Sequence, residues 1–274
     1  MGNNMVDDLI TSPANEKIKA VRKLKDRKFR DLTNFAYVEG IRQVVEAIQQ
    51  NFAIEKLIIT DKFRSSTTDS RINDAINGCK APKMVVSEEV FKSFSIKENP
   101  SGLAAVVRQK WSRISEYHGS FSGVWVCLWE IADPGNLGTI LRTMDAVRAS
   151  GLILVGNCSD PYDPVAIRAS MGAVFSKNLV KSNLEELVSV IKSRSILAIG
   201  TSDTASISYR KIRYPKNMFL VMGSERRGIP QQLGEVCTQT VRIPMLGVCD
   251  SLNLSVATGI ILYEILDQQS VSMG

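Results

Sequence analysis

The sequence predicts an α/β chain of two domains, whose C-terminal half is a parallel sheet with helices on both faces. From Gly123 onward, strand-like runs such as VWVCLWEI and GLILVG alternate with helical stretches. These runs are apolar at every position, which is typical of parallel strands buried on both faces. The length of 274 residues and the 44% content of hydrophobic residues are enough for a substantial core.

The elements of the C-terminal domain follow from this alternation. The predicted strands are VWVCLWEI, GLILVG, ILAIG and MFLVMG. The predicted helices are LGTILRTMDAVRAS, DPVAIRAS, NLEELVSVIKS and a long final helix from Ser251 to Leu266. In the last of these, apolar residues recur at helical spacing, which predicts one buried stripe.

A smaller α/β domain is predicted for residues 1–108. Residues 13–31 read as one basic helix, followed by AYVEG, a helix around Val44, Val45 and Ile48, and the strand IEKLIIT. The helix DAINGC, the strand KMVVS, the helix EEVFKSF and the strand in ENPSGLAAVV complete it. The stretch 109–122, QKWSRISEYHGSFS, is polar and aperiodic, which predicts a linker before the C-terminal domain 123–274.

Charge and residue usage exclude several classes of protein. The chain has 34 Lys and Arg against 28 Asp and Glu, and eight basic residues against one acidic residue lie between Lys17 and Arg30. A basic segment permits an anionic partner such as RNA. The only histidine, His118, lies in a polar stretch, so neither a histidine triad nor a clustered zinc site is expected.

The expected location is the cytoplasm. Five cysteines without a C-x-x-C pair indicate free thiols in a reducing compartment. No apolar run approaches the roughly 20 residues of a membrane span, and MGNNMVDDLI lacks the features of a signal peptide.

The first of three unusual loops is DPGNLGTILRT, residues 133–143. Pro134 and Gly135 predict a turn, and Asn136 is placed to cap the helix that follows. Arg142 lies near the positive end of that helix, an unfavourable position unless an anion binds there. An ordinary helix start explains the turn residues but does not explain the arginine.

The second and third loops are VMGSERRGIP, residues 221–230, and IPMLGVCDSLNLSVATG, residues 243–259. The second is neither a P-loop nor a G-x-G-x-x-G fingerprint, and by itself it reads as a charged, solvated loop. In the third, Ser251 or Asn253 could cap the last helix in the ordinary way. All three loops follow strands or precede helices at the edge where parallel sheets bind ligands.

In this order and spacing, the segments DPGNLGTILRT, FLVMGSERRGI and RIPMLGVCDSLNLSVATGIILYE resemble the SpoU (TrmH-type) branch of the SPOUT RNA methyltransferases. AYVEGIRQVVEA and ENPSGLAAVV are similar to the substrate-binding domain that often precedes it, a domain like ribosomal proteins that grip RNA. Leu254 and the Arg226–Arg227 pair are minor departures from the family pattern.

The resemblance implies a fold with a deep C-terminal trefoil knot, a bound S-adenosylmethionine and a homodimer whose two chains build the site. Cofactor contacts are then expected from Thr201, Ser202, Gly223, Ile243, Leu246 and Leu252. The implied reaction is methyl transfer to a ribose 2′-hydroxyl of RNA, most simply ribosomal RNA. Its catalytic residues are expected to be Arg142, Asn136, Glu225, Ser251 and Asn253, with Glu225 orienting the arginine.

Because a guanidinium stays protonated in proteins, Arg142 is expected to bind the adjacent phosphate and orient the hydroxyl. RNA contacts are expected from Lys19, Arg22, Lys25, Lys28 and Arg168. The alternatives are a transfer-RNA methyltransferase, a resistance methyltransferase of ribosomal RNA, a base methyltransferase and a non-catalytic RNA-binding assembly factor. The sequence names neither the RNA nor the nucleotide.

Overall fold

The computed structural model describes residues 9–66 and 69–271. The first eight residues, on which the signal-peptide argument depends, lie outside this part. The chain forms two compact units. One comprises the residues up to 109 together with 162–175, and the other comprises 110–161 together with the residues from 176 onward.

The first unit has a four-stranded mixed sheet. Its strands are β1 (Phe35–Glu39), β2 (Ile54–Thr60), β3 (Lys83–Val86) and β4 (Leu103–Arg108), in the order β1-β4-β2-β3. Its helices up to β4 are α1 (Glu16–Lys23), α2 (Arg27–Thr33), α3 (Ile41–Gln49), α4 (Asp61–Ser66), α5 (Ser70–Gly78) and α6 (Glu88–Phe94). The apolar sides of α1 and α6 pack with Tyr37, Ile58 and Val106 of the sheet in one core.

The basic stretch is two helices, whereas the sequence predicted one. α1 ends at Lys23, and the side chain of Asp26 accepts a hydrogen bond from the Lys28 amide, which caps a new helix. The periodicity alone misses this break, because Asp26 also fits the polar face of a continuous helix.

The second unit is an eight-stranded sheet in which every pair is parallel. Its strands are β5 (Ser112–Arg113), β6 (Val124–Trp129), β7 (Gly151–Val155), β8 (Asn178–Ser182), β9 (Ala198–Thr201), β10 (Ile207–Ser208), β11 (Met218–Met222) and β12 (Gln239–Arg242), in the order β10-β12-β9-β11-β6-β7-β8-β5. The helices after α6 are α7 (Pro134–Ala146), α8 (Pro164–Ala169), α9 (Leu184–Ser193), α10 (Gln231–Gly234) and α11 (Leu254–Val271).

Both faces of this sheet are covered, as predicted. On one face, Trp125, Cys127 and Phe219 pack with Leu187 of α9 and Leu233 of α10. The alternate residues of the same strands, such as Val126, Leu128 and Leu220, are also buried. α11 packs against α7. Burial on both faces explains why these strands are apolar at every position.

Several features differ from the sequence prediction. The strands β8, β10 and β12 were not predicted, because polar residues interrupt the apolar pattern in them. The short helices α4 and α10 were not predicted either. Within the stretch expected to be a linker, β5 pairs with β8 and Ile114 is buried. Residues 162–175, placed by the sequence alternation in the C-terminal domain, pack with the first unit. Within the described residues, no helix has the length and hydropathy of a membrane span.

Candidate functional site

The first loop connects β6 to α7. The N-cap of α7 is Asp133, whose carboxylate accepts a hydrogen bond of 2.6 Å from the Asn136 amide nitrogen. The sequence predicted Asn136 as the cap, and this is corrected. With Asp133 in that role and Pro134 as the first helical residue, the side chain of Asn136 is released from the helix start.

The second loop follows β11 and is a tight turn. The Ser224 amide donates to the Gly228 carbonyl (3.1 Å), and the Gly228 amide donates to the Ser224 carbonyl (3.0 Å). Gly223 precedes this turn, and a Cβ there would lie 2.5 Å from the Ile229 nitrogen. Glycine is therefore required at 223 by the backbone of the turn itself, which presents Glu225.

The third loop runs from β12 to α11. Asn253 caps α11, since its Oδ1 accepts hydrogen bonds from the amide nitrogens of Ser255 (2.9 Å) and Val256 (3.4 Å). The sequence left Ser251 or Asn253 open for this role, and the structure selects Asn253. Ser251 instead donates to the neighbouring Asp250 carboxylate and is exposed.

The three loops meet through three side chains. Asn253 Nδ2 donates to Asn136 Oδ1 at 2.9 Å, and Asn136 Nδ2 donates to Glu225 Oε1 at 3.2 Å. They meet because β6, β11, β9 and β12 are neighbours in a parallel sheet, so their carboxyl ends lie along one edge. Three of the five residues that the sequence predicted as catalytic are thus joined.

Arg142 lies apart from this group. It is exposed on α7, and no hydrogen bond or ion pair joins it to another residue in the described part of the chain. Six residues separate it from Asn136, which on an α-helix corresponds to about 120° around the axis and about 9 Å along it. Glu225 pairs with Asn136, whereas the resemblance had it orienting Arg142.

The residues expected to hold the cofactor flank the same edge. Thr201 ends β9 and donates to the Val221 carbonyl, and the Ser202 amide donates to the Val241 carbonyl. Ile243 is half-buried at the start of the third loop. Leu246, 98% exposed, and Leu252, 37% exposed, present apolar side chains from the same loop.

The residues expected to bind RNA all belong to the first unit. Lys19 pairs with Glu16, Arg22 donates to Ser93 Oγ, and Lys25 donates to the Ser95 carbonyl. Burial lowers the pKa of Lys25, opposed by the charge of Glu39. Lys28 and Arg168 are exposed.

Two residues of the site were missed from the sequence. Asp133 could have been found, because aspartate directly before a proline is the common pattern of a capped helix start. Ser255 donates its hydroxyl to Asn253 Oδ1 at 2.6 Å. Nothing in the local pattern marks it, since serine is frequent in the first turn of a helix.

Burial keeps two thiols of the second unit protonated. Cys127 is fully buried, and burial raises its pKa well above the ordinary value. Burial also raises the pKa of Cys237 to about 11. Across residues 9–66 and 69–271, no three His, Cys, Asp or Glu side chains gather in a possible metal site.

Comparison with known proteins identifies the family. Residues 123–263 match the SpoU rRNA Methylase family, and residues 15–105 match the MRM3-like substrate binding domain. The chain is 27% identical over 256 residues to the 23S rRNA (guanosine(2553)-2′-O)-methyltransferase RlmP of Bacillus subtilis (strain 168), covering 93% of this chain and 98% of that protein.

Two solved structures are similar over nearly the whole chain. The AdoMet-bound rRNA methyltransferase from Sinorhizobium meliloti is 32% identical, with a TM-score of 0.82, covering 94% of this chain and 96% of that one. An RNA 2′-O ribose methyltransferase is 31% identical, with a TM-score of 0.81, covering 96% of this chain and 99% of that one.

The fold and the site therefore define an RNA methyltransferase of the SPOUT type, with S-adenosylmethionine as the methyl donor. The chain belongs to the SpoU rRNA methylase family. The family, the fold class, the enzyme class and the cofactor predicted from the sequence are confirmed.

Proposed function

We propose that this protein transfers the methyl group of S-adenosylmethionine to a ribose 2′-hydroxyl of ribosomal RNA. The observation that carries the proposal is the convergence of Asn136, Glu225 and Asn253 at the carboxyl edge of the parallel sheet. The names of the similar proteins, one a 23S rRNA 2′-O-methyltransferase and one an RNA 2′-O ribose methyltransferase, support ribose of ribosomal RNA as the target.

The loop from 243 to 253 has the chemistry that an adenosine requires. It forms neither helix nor strand, and residues 246–253 are exposed, so its backbone donors and acceptors are available to a purine edge. Leu246 and Leu252 supply apolar surface on the same loop. When bound there, S-adenosylmethionine supplies an electrophilic methyl group.

The protein's own residues hold the hydroxyl in line and assist the loss of its proton. Glu225 uses Oε1 to accept from Asn136, which leaves Oε2 to accept a hydrogen bond from the 2′-hydroxyl. Arg142 remains protonated and binds the neighbouring phosphate. Ser251, which is exposed on the third loop two residues before Asn253, contacts the ribose.

A homodimer completes this site. α11 exposes Val256 (50%) and Tyr263 (54%), and α7 beside it exposes Arg142. An apolar helix face of this kind is what an isologous interface covers. Because Arg142 points away from Asn136 of its own chain, we place it in the site of the partner subunit. The trefoil knot implied by the resemblance stays a prediction.

The first unit reads the RNA, and its exposed cations, among them Lys28 and Arg168, contact phosphates. Lys19, Arg22 and Lys25 contribute positive charge while remaining in their intramolecular contacts. The five cysteines are free, consistent with work in the cytoplasm, where ribosomal RNA is processed.

The test is transfer of isotope-labelled methyl groups from S-adenosylmethionine to separate fractions of ribosomal and transfer RNA. The product is located by nuclease digestion and mass spectrometry. We expect one 2′-O-methylated nucleotide in large-subunit ribosomal RNA. A methyl group on a base, label only in transfer RNA, or no label in any RNA would contradict the proposal.

A further inference from the structure

The hydrogen bonds that join Ser255, Asn253, Asn136 and Glu225 can run in only one direction. At one end, Asn253 Oδ1 accepts from two backbone amides, which are donors in every state of the protein. At the other end, a Glu225 carboxylate oxygen accepts. Asn253 must therefore turn Nδ2 toward Asn136, and Asn136 must turn its own Nδ2 toward Glu225. We call these four side chains the amide relay.

Ser255 is the buried anchor of the relay. It is 8% exposed, whereas Asn253 and Glu225 are exposed and Asn136 is half-buried, so water competes least for its hydrogen bond. Ser255 lies in the first turn of α11, where no helical carbonyl lies four residues earlier. Its hydroxyl bonds instead at 2.6 Å to the side chain of Asn253, two residues earlier.

We propose that Ser255 is a positioning residue for methyl transfer, which acts by holding Asn253 Oδ1 in place and, through Asn253, the rest of the amide relay. The proposal rests on the function proposed above. In this orientation the relay leaves one N–H of Asn136, one N–H of Asn253 and the outer oxygen of Glu225 for the substrate. Two donors and one acceptor suit a ribose, whose oxygens accept and whose hydroxyl donates.

The first test compares Ser255→Ala with Ser255→Thr in the full-length protein. Ser255→Ala removes the hydroxyl, so we expect kcat to fall roughly tenfold, because a misplaced reacting group loses rate rather than binding. KM for S-adenosylmethionine should change less than about twofold. Ser255→Thr keeps the hydroxyl and should retain most of the wild-type kcat.

Thr258→Val is the matched control. Thr258 is also buried on α11, and its hydroxyl bonds to the Leu254 carbonyl outside the relay. We expect Thr258→Val to leave kcat unchanged. The proposal would be overturned by an unchanged kcat in Ser255→Ala. It would also be overturned if Ser255→Thr or Thr258→Val lost as much kcat as Ser255→Ala. Each of these results would show that kcat does not depend on the hydrogen bond from Ser255 to the relay.

The second test reverses the direction of the relay and needs neither RNA nor turnover. Asn253→Asp keeps the cap of α11 but places an acceptor against Asn136 Oδ1. Asn136 must then turn, which directs its oxygen at Glu225. In Glu225→Gln the new amide can donate to the oxygen of the turned Asn136. Each hydrogen bond of the turned relay then again joins a donor to an acceptor.

We expect Asn253→Asp to lower the melting temperature by about 2–4 °C more in the Glu225 background than in the Glu225→Gln background. The difference should persist in 1 M salt, where the Debye length is about 3 Å and charge repulsion is screened. Equal losses in the two backgrounds, or a difference that disappears in salt, would refute the relay. A wild-type protein that methylates no RNA would instead count against the proposed function alone.

Discussion

Arg142 is an exposed cation without an ion-pair partner among the described residues, and it is the ninth of the 13 residues of α7. The sequence expectation that it lies near the positive end of the helix is wrong, because the helix dipole acts only within the first turn. Its guanidinium makes no contact that stabilises the described part of the chain, so it is available to an anion that binds during function.

We therefore expect Arg142→Ala to leave the melting temperature unchanged and to lower kcat about 10²-fold or more, since one phosphate and hydroxyl contact of the transition state is lost. Binding of S-adenosylmethionine, measured by calorimetry, should be retained. Arg213→Ala, which removes another exposed cation of the second unit, is the control and should keep full activity. Normal turnover in Arg142→Ala would exclude the proposed role.

Gly223 has a structural role in the turn after β11, in addition to its expected contact with the cofactor. Because a Cβ at 223 would overlap the backbone of Gly228 and Ile229, Gly223→Ala should open the turn that presents Glu225. We expect a lower melting temperature and a loss of activity together. At Gly234 a Cβ meets no atom within 4 Å, so Gly234→Ala should be neutral in both measurements. An unchanged melting temperature in Gly223→Ala would contradict this reading.

At the scale of elements, a buried ion pair holds α8 to α2. Arg30 is 1% exposed, and its Nη2 lies 3.1 Å from a carboxylate oxygen of Asp163, which also caps α8. Arg30 donates in addition to the carbonyls of Leu24 and Lys25. These contacts explain why residues 162–175 pack with the first unit.

Asp163→Asn keeps the cap but removes the charge opposite Arg30. We expect a loss of about 2 kcal/mol in the free energy of unfolding, below the usual cost for a fully buried pair because Asp163 is partly exposed. Asp31→Asn breaks the exposed pair with Arg27 and should cost less than about 1 kcal/mol. Chemical denaturation followed by circular dichroism measures both, and equal losses would argue against the role of burial.

A second ion pair links the end of α7 to the start of β8. Although burial pushes the pKa of Asp145 upward, hydrogen bonds from Lys177 and Ser176 and the charge of Lys177 hold it below the ordinary value. A carboxyl group with a lowered pKa in the folded state stabilises the protein above its unfolded-state pKa, near 3.9, and this contribution is lost as the pH falls through the folded-state value.

We therefore expect the melting temperature of the wild type to fall more steeply below about pH 4 than that of Asp145→Asn. Asp74→Asn, at an exposed position, is the control and should follow the wild type. Thermal melts between pH 2.5 and 7 test this. Parallel curves for wild type and Asp145→Asn would show that the pair contributes no pH dependence.

The sequence predicts the elements with strong patterns and misses those set by distant contacts. The continuous apolar runs of β6, β7 and β11 identify buried strands, and the three loops are found from their motifs. β8 and β12 are missed because polar residues at their ends leave only one or two apolar positions in each. Asn136 bonds to Glu225, which is more than 80 positions away in the chain. The helix that carries Arg168 is held to the first unit by the pair of Asp163 with Arg30, more than 130 positions away. No local sequence pattern reveals either contact.

At the scale of the whole molecule, the proposed homodimer makes a prediction about mixed chains. If Arg142 serves the site of the partner subunit, a chain with Arg142→Ala and a chain with Asn253→Ala complement each other. A dimer of one chain of each kind contains one intact site and one doubly defective site. Random pairing should then restore about a quarter of the wild-type rate.

The measurement is methyl incorporation by the two variants co-expressed with different tags, compared with each variant alone. Light scattering after size exclusion gives the oligomeric state. Mixed chains as inactive as the single variants would mean that Arg142 acts within its own chain, and a monomer in solution would exclude the shared site. Arg213→Ala mixed with Asn253→Ala in equal amounts should give about half of the wild-type rate, because Arg213→Ala is active by itself, and this mixture calibrates the amounts of the two chains.

The order of the relay along the chain has a consequence for synthesis. Asn253 follows Asn136 by 117 residues, and Glu225 lies between them. A nascent chain acquires the first loop more than 100 residues before the third, whereas the second loop comes shortly before it. Until the segment that carries Asn253 has left the ribosome, the amide of Asn136 lacks the donor that orients it. On the proposed function, a growing chain is therefore inactive at a stage when all residues of its first unit have already been made.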